Sequence, residues 1–181
     1  MQGTIFTSFS DMVIEKMGME CWNGLLEQTK PTSNGIYTAG AQYNDNELLE
    51  MVKLLSEQSA IAVNDLLNAF GEYMFEALYQ NSPTDLSSLN NLKDFLLAID
   101  SVIHSEVKRV HPNAYLPSFK YHNSENGDLI MQYFSKRKLC YVAIGLIRGA
   151  ADKFSEKITI SHPVCMHEGA KHCELIIHFE G

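Results

Sequence analysis

The chain has 181 residues, of which 45% are hydrophobic and 20% charged, and its formal net charge is −8. These proportions are typical of a globular domain and exclude a disordered or low-complexity chain. The acidic balance argues against a general binder of nucleic acid or anionic membranes. No apolar run is long enough to cross a bilayer, and the N-terminus lacks the basic segment of a secretory signal. We therefore expect one cytoplasmic domain with reduced cysteines.

The first half of the chain has helical periodicity. We expect helices over residues 7–16 and 62–80, and a third helix capped by Asn44 or Asp45. Residues 30–44 contain Pro, Ser, Asn and Gly and predict a loop. Two further residues are expected in the helical core, namely Cys21 and Trp22.

The second half combines helices with alternating, strand-like segments. A helix is predicted over residues 90–110 and another over residues 138–154. Strands are predicted over residues 118–123, 129–133, 157–161 and 174–179. The order of these elements predicts an α+β fold, in which an N-terminal helical part precedes helices packed on a mostly antiparallel sheet.

Tyr133, Ser135 and Arg137 occupy alternate positions, and we call them the Y-x-S-x-R motif. In an extended chain such positions project to one side, so a phenol, a hydroxyl and a guanidinium would point together. Arginine clamps carboxylates and phosphates through charge-assisted hydrogen bonds, and the two hydroxyls add neutral donors. By spacing alone the motif is either a solvated strand end or a binding site for an anionic group.

His104 is an isolated histidine in the helix predicted over residues 90–110. It lies beside the main apolar stripe of that helix, on a flank that it shares with Leu97. One interpretation is a core histidine satisfied by a hydrogen bond, and the other is a metal ligand, since neutral imidazole is a common axial ligand of heme iron. Lys108 stands one turn later, so a zinc-binding pair on this helix is not expected.

Together, His104 and the Y-x-S-x-R motif resemble the heme-nitric oxide/oxygen binding (H-NOX) domain. The histidine lies in a helix, and the motif follows about thirty residues later and leads into another helix. The likeness covers essentially the whole chain. The other matching positions are Met1, Gly3, Ile5 and Pro117.

The resemblance implies an H-NOX fold over residues 1–181. Its helical part would cover about residues 1–62 and its heme-cradling α/β part about residues 63–181. It also implies that His104 ligates the iron of a ferrous b-type heme and that the Y-x-S-x-R motif binds the heme propionates. Ile5 and Pro117 would press on the porphyrin and help to set its distortion.

The family pattern also implies which gas is bound. In dioxygen-binding members a tyrosine five residues after the arginine of the motif donates a hydrogen bond to bound dioxygen, and here that position is Val142. Bound dioxygen carries negative charge and needs such a donor, whereas nearly neutral bound NO does not. The resemblance therefore implies selectivity for NO, with CO also expected to bind, unless Tyr73 or Tyr141 reaches the pocket. The apolar residues expected around the gas are Phe9, Met74, Val142 and Leu146.

A cluster of sulfur and imidazole ligands is expected near the C-terminus. Three thiolates and one imidazole suffice for a closed tetrahedral zinc site. Reduced thiols or a disulfide are the alternatives, and His167 and His172 are spare donors that leave the ligand set open. The expected zinc ligands are Cys140, His162, Cys165 and Cys173.

The sequence shows no kinase or cyclase motif, so we expect a regulatory protein and not an enzyme. The resemblance implies a heme-based NO sensor that breaks its His104–iron bond and regulates a separate signalling protein. That partner would be a bacterial histidine kinase or a cyclic-di-GMP enzyme, either a diguanylate cyclase or a phosphodiesterase. The alternatives are a zinc and thiol redox sensor or, with no distal acid–base group in the expected pocket, a heme enzyme.

Overall fold

The computed structural model describes residues 1–180 and begins with four helices. Gly18, with a φ of 91°, separates the first two helices. Asn44 caps the third helix by accepting a hydrogen bond from the backbone N–H of Asn46, as predicted. The predicted loop over residues 30–44 contains no helix. The four helices are α1 (Gly3–Met17), α2 (Met19–Thr29), α3 (Asp45–Ser59) and α4 (Val63–Gln80).

The helix predicted over residues 90–110 is interrupted in its middle. It consists of α5 (Leu92–Ala98), a π-helical turn (Ile99–Ile103) and α6 (His104–Val110). At the end of the turn the N–H of His104 donates to the carbonyl of Ile99, five residues earlier. The prediction of one continuous helix was wrong here, because the apolar stripe tolerates a local change of hydrogen-bond register.

The C-terminal half contains one antiparallel sheet of four strands with the spatial order β1-β2-β4-β3. A helix, α7 (Cys140–Phe154), packs against it and connects β2 to β3. This arrangement confirms the predicted α+β fold. None of the helices within residues 1–180 combines the length and apolar character needed to cross a membrane. The strands are β1 (Ser118–Asn123), β2 (Leu129–Phe134), β3 (Lys157–Val164) and β4 (Cys173–Glu180).

Two hydrophobic clusters form the core. The N-terminal cluster joins α1, α2, α3 and one side of α4, and it includes Trp22 and, at its margin, Cys21. The C-terminal cluster lies between α5, α7 and the sheet. Both α4 and α7 contribute to both clusters, since Met74 and Val142 belong to the first while Phe75 and Ala143 belong to the second. The division of the chain at about residue 62 stays a prediction.

Helices α4 and α7 approach each other closely because glycines line their contact. A Cβ atom on Gly71 would lie 2.2 Å from the carbonyl oxygen of Val142, and one on Gly145 would lie 2.0 Å from that of Asn68. Both neighbours are backbone atoms in rigid helices. Any larger side chain at either position therefore forces the two helices apart.

We predict that Gly145→Ala destabilises the protein even though alanine favours helices. Overpacking costs about 1–3 kcal/mol and should exceed the gain in helix propensity of about 1 kcal/mol. The matched control is Gly24→Ala in α2, where a Cβ atom meets nothing within 4 Å. Urea unfolding should show a lower midpoint for Gly145→Ala and an unchanged or higher midpoint for Gly24→Ala. Equal midpoints for both variants would contradict the close contact.

Candidate functional site

A largely apolar cavity of about 310 Å³ lies where the two hydrophobic clusters meet. Its size falls in the range of about 300–1,000 Å³ that is usual for cofactor and ligand sites. Residues from α1, α4, α6, α7 and the sheet all contribute to its lining. His104 and the three residues of the Y-x-S-x-R motif are among them. The cavity therefore brings together the two features that the sequence places about thirty residues apart.

His104 is the first residue of α6, and its side chain is only 15% exposed. Burial lowers the pKa of His104, although the carboxylate of Asp100 acts in the opposite direction. The Nδ1 atom lies 3.4 Å from the Oδ1 atom of Asp100, and the ring lies 6.0 Å from that of Phe119. A neutral imidazole at a cavity wall has a lone pair available for a metal ion. Asp100 was missed from the sequence, although its spacing of four residues from His104 could have indicated the pair.

The Y-x-S-x-R motif crosses the end of β2. Only Tyr133 lies within the strand, so the motif is not one extended segment as the alternation suggests. The Tyr133 hydroxyl accepts a hydrogen bond from the Leu139 N–H at 3.1 Å, and the Ser135 Oγ accepts one from the Arg137 N–H at 3.2 Å. Burial raises the pKa of Tyr133 to about 12, so its phenol stays protonated and remains a donor. All three side chains still line the cavity.

Arg137 is held by groups from distant parts of the chain. Its Nη2 atom lies 3.1 Å from Oδ1 of Asp45, and its Nη1 donates to the carbonyl of Tyr115 at 2.7 Å. The guanidinium also lies over the Tyr115 ring, 4.8 Å from its centroid. Asp45 binds the amino group of Met1 as well, at 2.6 Å. Burial raises the pKa of Asp45, but its hydrogen bonds to Arg137 and the N-terminus lower it more, so the pKa lies below its usual range.

Asp45 and Tyr115 therefore belong to the site, although sequence reasoning missed both. Asp45 is 92 residues from Arg137 along the chain, and no periodic pattern relates the two. Because two cationic groups face one carboxylate, the cluster keeps positive charge for an anion in the cavity, which Arg137 and Met1 line. The arrangement fits a cofactor with an apolar body and carboxylate groups.

The cavity lining includes most of the residues that the resemblance places around a heme. Ile5, Pro117, Met74, Val142 and Leu146 all contribute to it. Phe9 does not belong to the lining, and its place beside the gas stays a prediction. Phe9 is fully buried one layer behind, and its ring lies 5.4 Å from that of Phe70. Phe70 lines the cavity in its place.

The two tyrosines that could have supplied a donor are engaged elsewhere. The Tyr73 hydroxyl donates to Oε2 of Glu15 at 2.9 Å. The Tyr141 ring packs against His162 and His167, with centroids 5.6 and 6.1 Å away. Neither tyrosine contributes to the cavity lining within the described residues.

A second cluster lies at the start of α7. One ligand atom from each of four residues lies within 4.8 Å of every other, and these residues are Cys140, His162, Cys165 and Cys173. The cysteines are free, so a disulfide is not formed. Burial raises the pKa of Cys140, and the thiols of Cys173 and Cys165 raise it further. The Nε2 atom of His162 is buried and has no hydrogen-bond partner among residues 1–180.

The spare histidines are occupied by other contacts. The Nε2 atom of His167 lies 2.8 Å from the carbonyl oxygen of Lys138, and the His172 ring packs against Phe134 at 5.2 Å. An unpartnered imidazole nitrogen facing three sulfurs is the donor set that a tetrahedral zinc ion takes. The residues of this cluster therefore fit a metal ion.

The fold and the cavity define a class of protein that can take up a cofactor with an apolar body and anionic groups beside one imidazole. The family model described as Haem-NO-binding matches residues 2–162, and the chain belongs to this family. Proteins of this family bind heme and sense gases.

Solved structures support this assignment over the whole chain. An H-NOX protein from S. oneidensis in the Fe(II)NO ligation state is 34% identical, with a TM-score of 0.93 and 100% coverage of both chains. The Fe(II) unliganded H-NOX protein from K. algicida is 28% identical, with a TM-score of 0.91 and coverage of 100% of this chain and 97% of that one.

Curated relatives include larger proteins. Soluble guanylate cyclase gcy-35 of Caenorhabditis elegans is 26% identical over 83% of this chain and 22% of its own length. The chain thus spans about a quarter or less of the curated relatives that it matches.

Proposed function

We propose that the protein is a heme-based sensor of nitric oxide. The observation that carries the proposal is the shared cavity, in which a buried imidazole and a cationic clamp line one apolar space. His104 would ligate the iron of heme b through Nε2, and Tyr133, Ser135 and Arg137 would bind the propionates. The solved relatives from S. oneidensis in Fe(II)NO and Fe(II)CO states support binding of both gases.

When bound, heme would supply an iron atom that takes up a diatomic gas, and binding of NO would favour release of His104. His104 begins α6 and follows the π-helical turn, so its release would free a helix whose other residues are half-buried or exposed. Ile5 and Pro117 contact the cavity from α1 and from the loop before β1. Ile5 packs against the N-terminal cluster, and Phe119, which faces the His104 ring, packs against the C-terminal one, so a change at His104 would reach both clusters.

We further propose that the pocket is selective for NO. The side chains at the positions implied to face the gas, namely Met74, Val142 and Leu146, together with Phe70, carry no hydrogen-bond donor. Gln42, a polar lining residue, already donates to the carbonyl of Asn113 at 2.9 Å. Negatively charged bound dioxygen would lack a partner, and an unpaired buried charge is costly.

The test is an absorption spectrum of reduced protein recorded without oxygen, then in air, then with NO. The absorption spectrum of the wild-type protein should stay unchanged in air and should change when NO is added. Val142→Tyr should gain a stable oxygen complex because it adds a hydroxyl, whereas Val142→Phe should not, because it adds similar volume without a donor. The hydrogen bond should strengthen oxygen binding by about tenfold or more. A stable oxygen complex in wild type would contradict the selectivity and would indicate that Gln2 or Tyr79 reaches the gas.

We propose that the signal passes to a separate protein, a histidine kinase or a cyclic-di-GMP enzyme. The acidic surface suits such a partner, since residues 1–90 carry 12 acidic and 3 basic side chains, whereas the rest of the chain is nearly balanced. Complementary charge speeds association and sets orientation. Binding measured at increasing salt should weaken if this surface is used.

A zinc ion at the cysteine cluster is the second element of the proposal. The unpartnered Nε2 of His162 favours it. Zinc would supply a structural cross-link that joins the start of α7 to β3 and β4. Because α7 also carries Val142, oxidation of the thiols would loosen one wall of the gas pocket, so a zinc and thiol redox sensor is the alternative function.

A further inference from the structure

Three polar side chains form a hydrogen-bonded chain on the sheet, and neither the heme proposal nor the zinc proposal uses them. The Oγ atom of Ser161 on β3 lies 2.8 Å from Nε2 of His178 on β4. The Nδ1 atom of the same histidine lies 3.0 Å from Oδ2 of Asp128, in the turn before β2. A serine, a histidine and an aspartate are therefore connected in the order that activates the nucleophile of serine hydrolases.

The donors and acceptors of these groups determine the direction of both hydrogen bonds. A carboxylate only accepts, so Nδ1 of His178 carries the proton that it donates to Asp128. In the neutral ring Nε2 then has the lone pair, and it accepts the hydrogen of the Ser161 hydroxyl. His178 thus faces Ser161 as a base in the tautomer that proton transfer requires.

The carboxylate of this chain is held in place, and the hydroxyl is open to solvent. The N–H of Asp128 donates to Oγ of Ser124 at 3.0 Å, and its carbonyl accepts from the N–H of Ser124 at 3.0 Å. The side chain of Asp128 is 20% exposed, and that of His178 is 38% exposed. Ser161 itself is exposed. A substrate can therefore reach the hydroxyl while the turn fixes the group that orients the histidine.

The surroundings of Ser161 suit a small acyl group. Ile176 lies directly opposite Ser161 in the sheet, and Ile130 lies opposite Ile176 on the next strand. Residues opposite each other in an antiparallel sheet share one face, so two half-buried isoleucines adjoin the hydroxyl. β3 is an edge strand, and its pairing with β4 shifts register directly after Ser161. Edge strands and such irregularities leave backbone N–H groups unpaired, and the negative oxygen of an acyl-transfer reaction needs such donors.

We propose that this chain is an acyl-transfer site that hydrolyses esters of small, apolar acyl groups. Ser161 Oγ bonds to the acyl carbon while its proton passes to Nε2 of His178. The bond from the acyl carbon to the alcohol oxygen then breaks, and the alcohol leaves with that proton. Water, deprotonated by His178, cleaves the acyl-serine in the same way and returns a carboxylic acid and free Ser161. Asp128 is the positioning residue of His178, and the activity does not depend on the heme site.

The first experiment treats the heme-loaded wild-type protein with an alkyl fluorophosphonate, which replaces its fluoride with an activated serine oxygen. Mass spectrometry of the digested protein should locate the phosphonyl group on Ser161. His178→Asn should lower the rate of this labelling at least about 100-fold, since general base catalysis contributes about 10²–10⁴-fold. Absence of the adduct from wild-type Ser161 would overturn the proposal.

The second experiment measures hydrolysis of p-nitrophenyl butyrate, with the released p-nitrophenol quantified by chromatography. Ser161→Ala should abolish the enzymatic rate, whereas Ser118→Ala, which removes another exposed hydroxyl of the same sheet, should leave it unchanged. Equal rates in wild type and Ser161→Ala would show that no hydrolysis occurs at this serine, and would overturn the proposal.

The role of Asp128 is tested by the separation of kcat from KM. Asp128→Asn should lower kcat and leave KM unchanged, because the amide can donate to Nδ1 and stabilise the wrong tautomer of His178. Asp128→Glu should recover part of the loss, because it restores a carboxylate that only accepts. An unchanged kcat in Asp128→Asn would overturn the positioning role.

Discussion

Replacement of His104 by glycine should make heme dissociate at least about 100-fold faster than from the wild-type protein. Loss of a group that merely supports a metal ligand already costs about 10–100-fold in affinity, and here the ligand itself is removed. The remaining contacts would be those of the apolar lining and the Y-x-S-x-R motif, which would hold the cofactor without fixing its iron. The transfer of heme to an excess of apomyoglobin measures this rate.

Free imidazole should slow the loss of heme from His104→Gly, because it fits the space left by the side chain and supplies the same nitrogen. His111→Gly is the matched control, since His111 is the C-terminal cap of the same helix and does not line the cavity. An unchanged dissociation rate in His104→Gly, or equal loss in both variants, would contradict ligation by His104.

Replacement of Cys173 by serine should abolish binding of one zinc ion per chain and destabilise the protein. Cys173 is fully buried on β4, and it lies opposite Tyr133 of β2 in the sheet. In the wild-type protein without a metal ion, three thiols and the Nε2 atom of His162 would lie close together with few hydrogen-bond partners. We expect a loss of about 3 kcal/mol, as for a lost structural cross-link, which corresponds to roughly 6–12 °C in Tm for a domain of this size.

Metal analysis of purified protein and thermal unfolding with and without a chelator provide the measurement. Cys21→Ser is the control, because Cys21 is half-buried in the N-terminal cluster and remote from the other cysteines. Chelation should lower the Tm of wild type and of Cys21→Ser but not that of Cys173→Ser. A wild-type protein without zinc, whose thiols all react normally, would contradict the site and leave the cluster as buried reduced cysteines.

The helices and strands were largely predictable because each depends on local periodicity and on nearby start and stop signals. Asn44 caps α3 as the sequence indicates, and the four strands lie close to their predicted ranges. The π-helical turn before His104 was missed, since an extra residue in one turn leaves the apolar stripe nearly intact. Periodicity therefore located the helix but not its register.

The residues proposed to bind heme and zinc were singled out from the sequence, because imidazole, thiol and guanidinium groups are the usual ligands of metal ions and anionic groups. Only the tertiary structure decided which of them meet. It brings the Asp45 carboxylate to Arg137 and places Phe70 in the lining of the cavity. It also groups His162, and not His167 or His172, with the three cysteines. These outcomes depend on contacts between segments up to 92 residues apart. Such contacts are fixed by how whole helices pack, as where Gly71 and Gly145 allow α4 and α7 to touch, and no local pattern encodes them.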